Sequence, residues 1–536
     1  MDLVLTGGTV LTMDRHHPRA EAVAVQGGRI AAVGLAAEIA NLIGPTTTVV
    51  DLAGRALLPG FLDPHHHFSI TAFEPVAVDC RTPPHERLSS ILAAIAAAAR
   101  SAPRGQWIRG WGLRTFLLRE KRAPTRWELD EVAPHHPVCL LDGSVHACYV
   151  NSAALALAGI DRYTPDPPHG QYLRDTRGEL TGTLWESAMN AVYTLSLQAY
   201  LDRFGDGVAD LLAAACRRLL ACGITGVGDA LVTPEAARLY RLAEAQHKLP
   251  LVVHQLFGGR HFFAPPQEVA RGDVDTSDVS DRLRGNTMKL FLDPAFPTYA
   301  LMRPHPCGGV EHYGERYYTQ DELDALVLAA HRRGLQVALH CLGNGAVEMA
   351  LNACERALRE HPRAEPRFRI EHFTLATPAQ MRRARDLGVI AVVQPPFVYT
   401  RGEAYRRTAQ EVGGEVRPLA FGSMLAAGLT VAASSDSPCA PVEPLLGLYA
   451  LVTRRHRDEA APIAPEEAVG PLEGLRLYTL NAAYALRRDH EVGSLEVGKR
   501  ADMVVLSHDP TAVDPEFLRD ITVEQTYVDG VRVYQR

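Results

Sequence analysis

The central part of the chain repeats one pattern of hydrophobic and polar positions. An amphipathic helical segment is followed by a glycine, then by a short apolar run, and finally by a polar residue where that run ends. Four copies are evident, with their glycines at Gly223, Gly334, Gly388 and Gly428. Apolar strands that alternate with helices are typical of parallel β/α units, and this number of units predicts an α/β fold of the (β/α)8 TIM-type barrel class.

Local signals at the helix ends agree with this prediction. Each of the four glycines stands where the residue after a helix needs a positive φ. Thr319 with Glu322 predicts a capping box, and Thr377 followed by Pro378 predicts a capped helix start. In such a barrel the carboxyl ends of the strands carry the chemistry, so polar residues that follow the strands are the candidates for a functional site.

The two ends of the chain have a different texture. Residues 1–58 and 491–536 contain short β-rich runs separated by glycine and polar turns, and we predict that they pair into one small discontinuous β-sandwich beside a catalytic body at 59–490. Within that body the repeating pattern lapses between 72 and 205. Structureless loops of this length are uncommon, so the segment is interpreted as an insertion subdomain after barrel strand 1 that caps the mouth.

Composition narrows the classes of function. The chain has 536 residues, of which 47% are hydrophobic and 22% charged, and a net charge of -7, which gives no basic surface for nucleic acid or anionic lipid. No window supplies the ~20 apolar residues of a membrane span, and no secretory signal is recognisable, so we expect a cytoplasmic protein that acts on a small molecule. The nine cysteines, an odd number without C-x-x-C spacing, suit reduced thiols.

Polar residues occupy the ends of the predicted strands. The apolar run after Pro59 ends in three histidines, of which His65 and His67 share one face of a strand while His66 faces away. Further polar residues that follow or interrupt apolar runs are Lys289, His340, His372 and Asp436. An unpartnered charge would be costly at such positions, which favours coordination of a divalent cation over a merely polar strand end.

A combination of motifs points to one family. The motifs are Pro-Gly-Phe-Leu-Asp-x-His-x-His at 59–67, Lys289-Leu290-Phe291-x-Asp293, His340-x2-Gly343, Arg369-Ile370-Glu371-His372, Ser435-Asp436-x-Pro438 and Gly493-Ser494-Leu495-x-x-Gly498-Lys499-x-Ala501-Asp502. Through them the chain resembles the metal-dependent amidohydrolase superfamily, in the branch of N-substituted formamide deformylases and exoenzyme-regulatory proteins. The resemblance covers nearly the whole chain and implies a barrel flanked by a β-sandwich, in agreement with the pattern.

The resemblance also implies roles for individual residues. The residues that would surround one or two zinc ions are His65, His67, His340, His372 and Asp436. Lys289 would be the lysine that many relatives carbamylate, and as N6-carboxylysine it would bridge two metals. Bound zinc lowers the pKa of its water and polarises a carbonyl, while Asp436 would act as general base and later as acid. His146 and Gln394 would bind the substrate, and a homodimer is expected because relatives are often dimers.

The predicted reaction is hydrolysis of a non-peptide C–N bond in an N-acyl, N-formyl or other N-substituted amide. Aromatic residues that predict a hydrophobic or aromatic pocket are Phe68, Phe73, Trp111, Phe116, Trp185, Phe296, Phe397 and Tyr399. Asn344 and Pro294 depart from the family pattern, where Asp and Gly are usual. Two alternatives stay open because a fold does not determine chemistry: deamination of a heterocycle or a non-hydrolytic reaction at the same site, and a metal-stabilised regulatory or binding protein without turnover.

Overall fold

Eight parallel strands form one central sheet in the computed structural model, which describes residues 1–295, 299–304, 310–413, 415–458 and 461–536. In chain order, barrel strands 1 to 8 are Phe61–His66, Ile224–Val232, Val252–Phe257, Leu283–Phe291, Gln336–Cys341, Arg369–His372, Ile390–Val393 and Thr430–Ala433. Each strand is hydrogen-bonded to its neighbour in the sequence of barrel strands. The prediction of a (β/α)8 TIM-type barrel is therefore confirmed.

The ring closes between barrel strands 8 and 1. The amide of Asp436 donates to the carbonyl of His65 at 2.8 Å, and the amide of His67 donates to the carbonyl of Ser437 at 2.9 Å. These two bonds form a seam between the end of barrel strand 1 and the segment after barrel strand 8. Closure of the ring thus brings together two segments that carry predicted metal ligands.

Helices alternate with the barrel strands and also occur in the terminal and inserted segments. They are Ala36–Ala40, Phe68–Thr71, Leu88–Ser101, Arg126–Val132, Ser152–Leu157, Asn190–Phe204, Val208–Ala221, Pro234–Ala245, Gln267–Arg271, Gln320–Arg332, Asn344–Glu360, Pro378–Asp386, Pro396–Val412, Phe421–Ala426, Pro444–Thr453, Pro471–Leu477 and Leu480–Ala485. Thr319 and Glu322 form the predicted capping box, and Thr377 forms a second one with Gln380. The four repeat glycines have φ values from 64° to 83°, as their position after a helix requires.

Two further sheets are built from the ends of the chain. The four-stranded sheet has the order Arg29–Gly34, Ala22–Gln26, Leu3–Thr6 and Thr48–Asp51. The six-stranded sheet has the order Val531–Gln535, Val523–Val528, Met503–Leu506, Ala56–Pro59, Thr9–Leu11 and Arg19–Ala20. Strand Ala56–Pro59 pairs with an N-terminal strand on one side and with Met503–Leu506 on the other, so both ends of the chain share a sheet. Leu57, Met503 and Tyr527 contribute to one apolar core beneath it.

A separate sheet lies between barrel strands 1 and 2 in the sequence, and we call it the insertion sheet. Its order is Gly170–Arg174, Leu180–Glu186, Ala147–Val150, Val138–Asp142, Ile108–Leu113 and Val78–Asp79. Two small two-stranded antiparallel sheets pair Leu301–Pro304 with Val310–Tyr313 and Leu375–Ala376 with Arg417–Pro418. The insertion sheet reaches the barrel mouth, because the ring of His146, beside strand Ala147–Val150, lies 5.7 Å from the ring of His340 on barrel strand 5.

The described part of the chain also bears on the expectations about thiols and membranes. Its eight cysteines are free, whereas Cys307 lies outside the described residues. Among the helices given above, none combines the length and the apolar character that crossing a membrane would require.

Candidate metal centre

Three side chains at the seam form a compact group of metal-ligating atoms. Nε2 of His65 lies 3.3 Å from Oδ1 of Asp436, and Nε2 of His67 lies 3.1 Å from the same oxygen. All three residues are buried, and their ligating atoms lie within 4.8 Å of one another. Tetrahedral zinc with bonds of about 2.0–2.2 Å holds its ligand atoms roughly 3.3–3.6 Å apart. The group therefore has the dimensions of a site for one divalent cation.

The hydrogen bonds of His65 determine which of its nitrogens faces this group. Its Nδ1 contacts Oε2 of Glu371, and because an ionised carboxylate only accepts, Nδ1 carries the proton. In the neutral ring the lone pair of Nε2 then faces an oxygen of Asp436. Burial and Lys289 favour the neutral ring, but Glu371 and Asp436 outweigh them and raise the pKa of His65. The pocket thus suits a positively charged occupant, either a proton on His65 or a metal ion.

Glu371 is itself anchored in the core. Nε of Arg369 donates to its Oε1 at 2.7 Å and Nη2 of Arg369 donates to its Oε2 at 2.9 Å. Burial alone would raise the pKa of Glu371, but the charges of Arg369 and His65 hold it well below its ordinary value. The carboxylate stays ionised and orients the ring of His65, as the outer partners of metal-binding histidines do.

A second pair of imidazoles lies beside the first group. Nε2 of His372 is 3.0 Å from Nδ1 of His340, and the ring of His372 is 4.8 Å from that of His65. Oε1 of Gln394 accepts from Nδ1 of His372 at 2.7 Å, which turns the Nε2 lone pair of His372 toward His340. Burial lowers the pKa of His372 to about 3 and that of His340 well below its ordinary value. Both rings are neutral and able to bind a metal.

Lys289 projects from barrel strand 4 into the same region. Its Nζ has no hydrogen-bond partner among the described residues and lies 4.8 Å from the centroid of the Phe291 ring. Burial lowers the pKa of Lys289 to about 8, although Glu371 and Asp436 act in the opposite direction. An unpartnered buried amine is costly, so this nitrogen is a further sign that an additional group completes the site.

Unusual backbone geometry aims two of these side chains. The φ of His372 is 72° and that of Asp436 is 58°, values in the left-handed region that is uncommon for residues other than glycine. Strand alternation would send Glu371 and His372 to opposite faces of barrel strand 6. Because the backbone turns at His372, both residues instead lie against His65.

His146 faces the site from the insertion sheet. Its Nδ1 lies 3.0 Å and 2.9 Å from the two carboxylate oxygens of Glu186. Its ring lies 4.9 Å from that of Phe263 and 5.7 Å from that of His340. Among the described residues the other ring nitrogen has no hydrogen-bond partner, so it can meet a molecule bound between the insertion sheet and the barrel.

Gln394 and Asn344 are occupied by internal contacts. Besides accepting from His372, Gln394 donates from Nε2 to Oγ of Ser434 at 3.0 Å, so its amide holds His372 in place. Asn344, one of the two departures expected from the family resemblance, accepts from the amide of Met302 at 2.8 Å and donates to its carbonyl at 2.7 Å. An aspartate could not donate, which explains the amide at this position. His66 faces away from the site as predicted, toward Asp63 and Thr71.

The aromatic surroundings differ from the predicted set. The rings in contact with His146 are Phe263 and Phe291, and Phe291 also contacts His340. Phe291 stands two residues after Lys289, so strand alternation places both side chains on the same face. This spacing is the sequence signal that could have identified Phe291 as a residue of the site. Of the predicted aromatics, Phe397 stacks on His372 at 6.2 Å, whereas Phe116 and Trp185 are 59% and 40% exposed. Phe296 lies outside the described residues.

The chain is similar to known proteins along nearly its whole length. The model of the amidohydrolase family matches residues 48–534. An N-substituted formamide deformylase from Arthrobacter pascens is 40% identical over 543 residues, which cover 100% of this chain and 98% of that protein. Crystal structures of uncharacterized metal-dependent hydrolases from Pyrococcus horikoshii OT3 and Pyrococcus furiosus match with TM-scores of 0.75 and 0.71, at 24% and 25% identity, over 96% and 95% of this chain and 99% of each of theirs. The chain therefore belongs to the amidohydrolase family.

Proposed function

We propose that this amidohydrolase hydrolyses the C–N bond of a small N-acyl, N-formyl or otherwise N-substituted amide with an apolar or aromatic body. The observation that carries the proposal is the convergence of His65, His67 and Asp436 at the seam, with His340 and His372 beside them. The Arthrobacter relative, an N-substituted formamide deformylase, matches over all of this chain and 98% of its own, and this supports the substrate class.

The residues fit one or two zinc ions. His65, His67 and Asp436 would hold one ion, and His340 and His372 a second. Lys289, as N6-carboxylysine, would add an anionic ligand, and its unpartnered Nζ supports this role. Zinc, when bound, polarises a carbonyl group and makes water nucleophilic near neutral pH.

Asp436 is proposed to move the proton. Water adds to the carbonyl carbon of the amide, Oδ1 or Oδ2 of Asp436 accepts the proton that the water loses, and the carboxyl group then donates it to the nitrogen as the C–N bond breaks. The products are a carboxylic acid and an amine. His65 and His67 keep the carboxylate in place, and burial excludes bulk water from the transfer.

His146 is proposed to donate a hydrogen bond to the substrate oxygen. Its Nδ1 lies within hydrogen-bond distance of both carboxylate oxygens of Glu186, and this contact supports the role because it orients the ring. Gln394 is proposed to act on the substrate through His372, whose ring it orients by accepting from Nδ1.

The test uses the purified enzyme with its metal content measured. Wild type is expected to release the amine from N-formyl and N-acyl arylalkylamines, whereas release of ammonia would indicate a deaminase instead. Asp436→Asn should lower kcat by a factor of about 100 or more, because proton transfer by a positioned group contributes 10²–10⁴-fold, and should retain bound metal.

Asp324→Asn is the matched control. Asp324 is a buried aspartate on helix Gln320–Arg332 whose partner is Arg356 at 2.9 Å, and its loss should leave kcat unchanged. Full turnover by Asp436→Asn, or no amine release by metal-loaded wild type, would contradict the proposal. The expected homodimer and cytoplasmic location are separate predictions, testable by light scattering and by cell fractionation.

A further inference from the structure

Two arginines meet at the turn that follows Asp436. Nη2 of Arg401, on helix Pro396–Val412, donates to the carbonyl oxygen of Cys439 at 3.0 Å. Nη2 of Arg114, which follows strand Ile108–Leu113 of the insertion sheet, donates to the same oxygen and lies 3.5 Å from the carbonyl of Pro438. Two guanidinium groups from different parts of the fold therefore share one backbone oxygen. This oxygen belongs to Cys439, which follows the proposed general base Asp436 by three residues.

Neither guanidinium has a counter-ion in the described part of the chain, where no carboxylate oxygen lies within 4.0 Å of either. Asp142, whose charge raises the pKa of Arg114, accepts hydrogen bonds from the amide of Ser144 and the hydroxyl of Tyr149 instead. Nε of Arg401 is buried and has no acceptor among the described residues. Burial lowers the pKa of Arg114 to about 10, and Arg401 acts in the same direction. Against its burial, Tyr405, Cys439 and Asp436 raise the pKa of Arg401, but none of the described carboxylates pairs directly with either guanidinium group. Two adjacent buried cations without a directly bonded anion are costly, so the pair leaves a position for one.

The position of the arginines relates them to the site. The guanidinium carbon of Arg401 lies 4.8 Å above the ring of Phe397, and Phe397 in turn stacks on His372 at 6.2 Å. The ring of Phe397 therefore contacts both a proposed metal-binding histidine and one of the two cations. A molecule with its amide at the histidines and its body along Phe397 would place its far end near the guanidinium groups.

We propose that Arg114 and Arg401 form an anion subsite, and that the substrate is an N-substituted amide whose amine part carries an acidic group. Guanidinium pairs bind carboxylate, phosphonate and similar oxyanions through charge-assisted, forked hydrogen bonds. This inference rests on the proposed function and narrows its substrate class. If the two arginines only held the Cys439 carbonyl in place, the rate of hydrolysis would not depend on the charge of the substrate.

The test compares substrates that differ only in charge. For the metal-loaded wild type, kcat/KM for N-formylphenylalanine should exceed that for N-formylphenylalaninamide by roughly tenfold to a hundredfold, the range expected for hydrogen bonds to a charged group. In Arg401→Gln and Arg114→Gln this ratio should fall toward one, and in Arg401→Lys it should be intermediate. Arg359→Gln, an exposed arginine on helix Asn344–Glu360, is the matched control and should keep the wild-type ratio.

A binding measurement separates this inference from the proposed function. Calorimetric titration with benzoate and phenylphosphonate should show binding to wild type that is weakened at least tenfold in Arg401→Gln, even if no amide is turned over. Equal binding to both proteins would mean that the anion sits elsewhere, for instance on the metal, and would overturn the inference. Equal kcat/KM values of the wild-type enzyme for the neutral amide and for the acid would also overturn the inference. That result would leave the proposed function intact, and it does not depend on the folding of any variant.

Discussion

Replacing Glu371 by glutamine tests whether the buried chain from Arg369 through Glu371 to His65 supports the metal centre. These three side chains belong to residues that are at most 1% exposed. Glutamine keeps the volume but removes the charge, which leaves Arg369 as a buried cation. Removing one partner of a buried ion pair costs about 3–5 kcal/mol. Because Arg369 still donates to the carbonyl of Pro64 at 2.8 Å, we expect the lower end, about 3 kcal/mol.

The assay measures folding and metal binding separately. Urea unfolding of chelator-treated protein gives the loss of stability without metal, and competition with a chromophoric chelator gives the metal affinity, which should fall about 10–100-fold. Glu235→Gln is the control, since Glu235 pairs with the exposed Arg238 at 3.2 Å and its loss should change the free energy of unfolding by less than about 1 kcal/mol.

A double variant tests whether the two charges of the buried pair stabilise each other. Arg369→Met combined with Glu371→Leu removes both charges, so it should be less destabilised than Glu371→Gln alone. A Glu371→Gln variant that unfolds within about 1 kcal/mol of wild type and keeps its metal affinity would contradict the supporting role of the buried pair. So would a double variant whose loss of stability equals the sum of the losses in Arg369→Met and in Glu371→Leu, because the pair would then have no coupling.

Three further outcomes are expected. His67→Asn should lose bound metal and His66→Asn should keep it, as elemental analysis would report; equal losses would contradict the assignment of faces. For Asn344→Asp, the free energy of unfolding measured in urea should be about 1–3 kcal/mol lower than for wild type, because an aspartate cannot donate to the carbonyl of Met302. Its metal content should be unchanged. Burial raises the pKa of Glu74 from 4.5 to about 7, so its stabilising neutral form is complete below pH 4.5 and lost as the pH rises through 7. Glu74→Gln should therefore exceed wild type in stability at pH 8, by up to about 3 kcal/mol, and show no advantage near pH 4; a constant difference would argue otherwise.

The barrel and the strand-end residues could be predicted because both leave a local trace. A glycine after a helix needs a positive φ, an apolar run of strand length forms a buried strand, and a polar residue at its end is conspicuous. The face of His65 and His67 followed from the period of two, and so did the outward direction of His66. The domain boundaries at 58 and 490 have no such trace, and they stay predictions.

The parts that could not be predicted depend on backbone turns and on distant partners. The left-handed conformation at His372 places its side chain on the same side as that of Glu371, against strand alternation, and no feature of the sequence indicates it. The partnership of His146 with Glu186 depends on the pairing of strand Ala147–Val150 with Leu180–Glu186 in the insertion sheet. Phe263 belongs to a loop, where no periodicity indicates direction.

The position of the metal centre at the seam links folding to chemistry. His65 and His67 end barrel strand 1, Asp436 follows barrel strand 8, and the same segments exchange the backbone hydrogen bonds that close the ring. If the ring opens, the ligands separate; if the cation is absent, the Nε2 of His65 and the Asp436 carboxylate face each other with only a proton between them. A cation that binds only the closed ring stabilises it by about 4 kcal/mol at a concentration one thousand times its Kd. The fold therefore holds the proposed ligands in place, and a bound cation would in turn stabilise the closed ring at the seam.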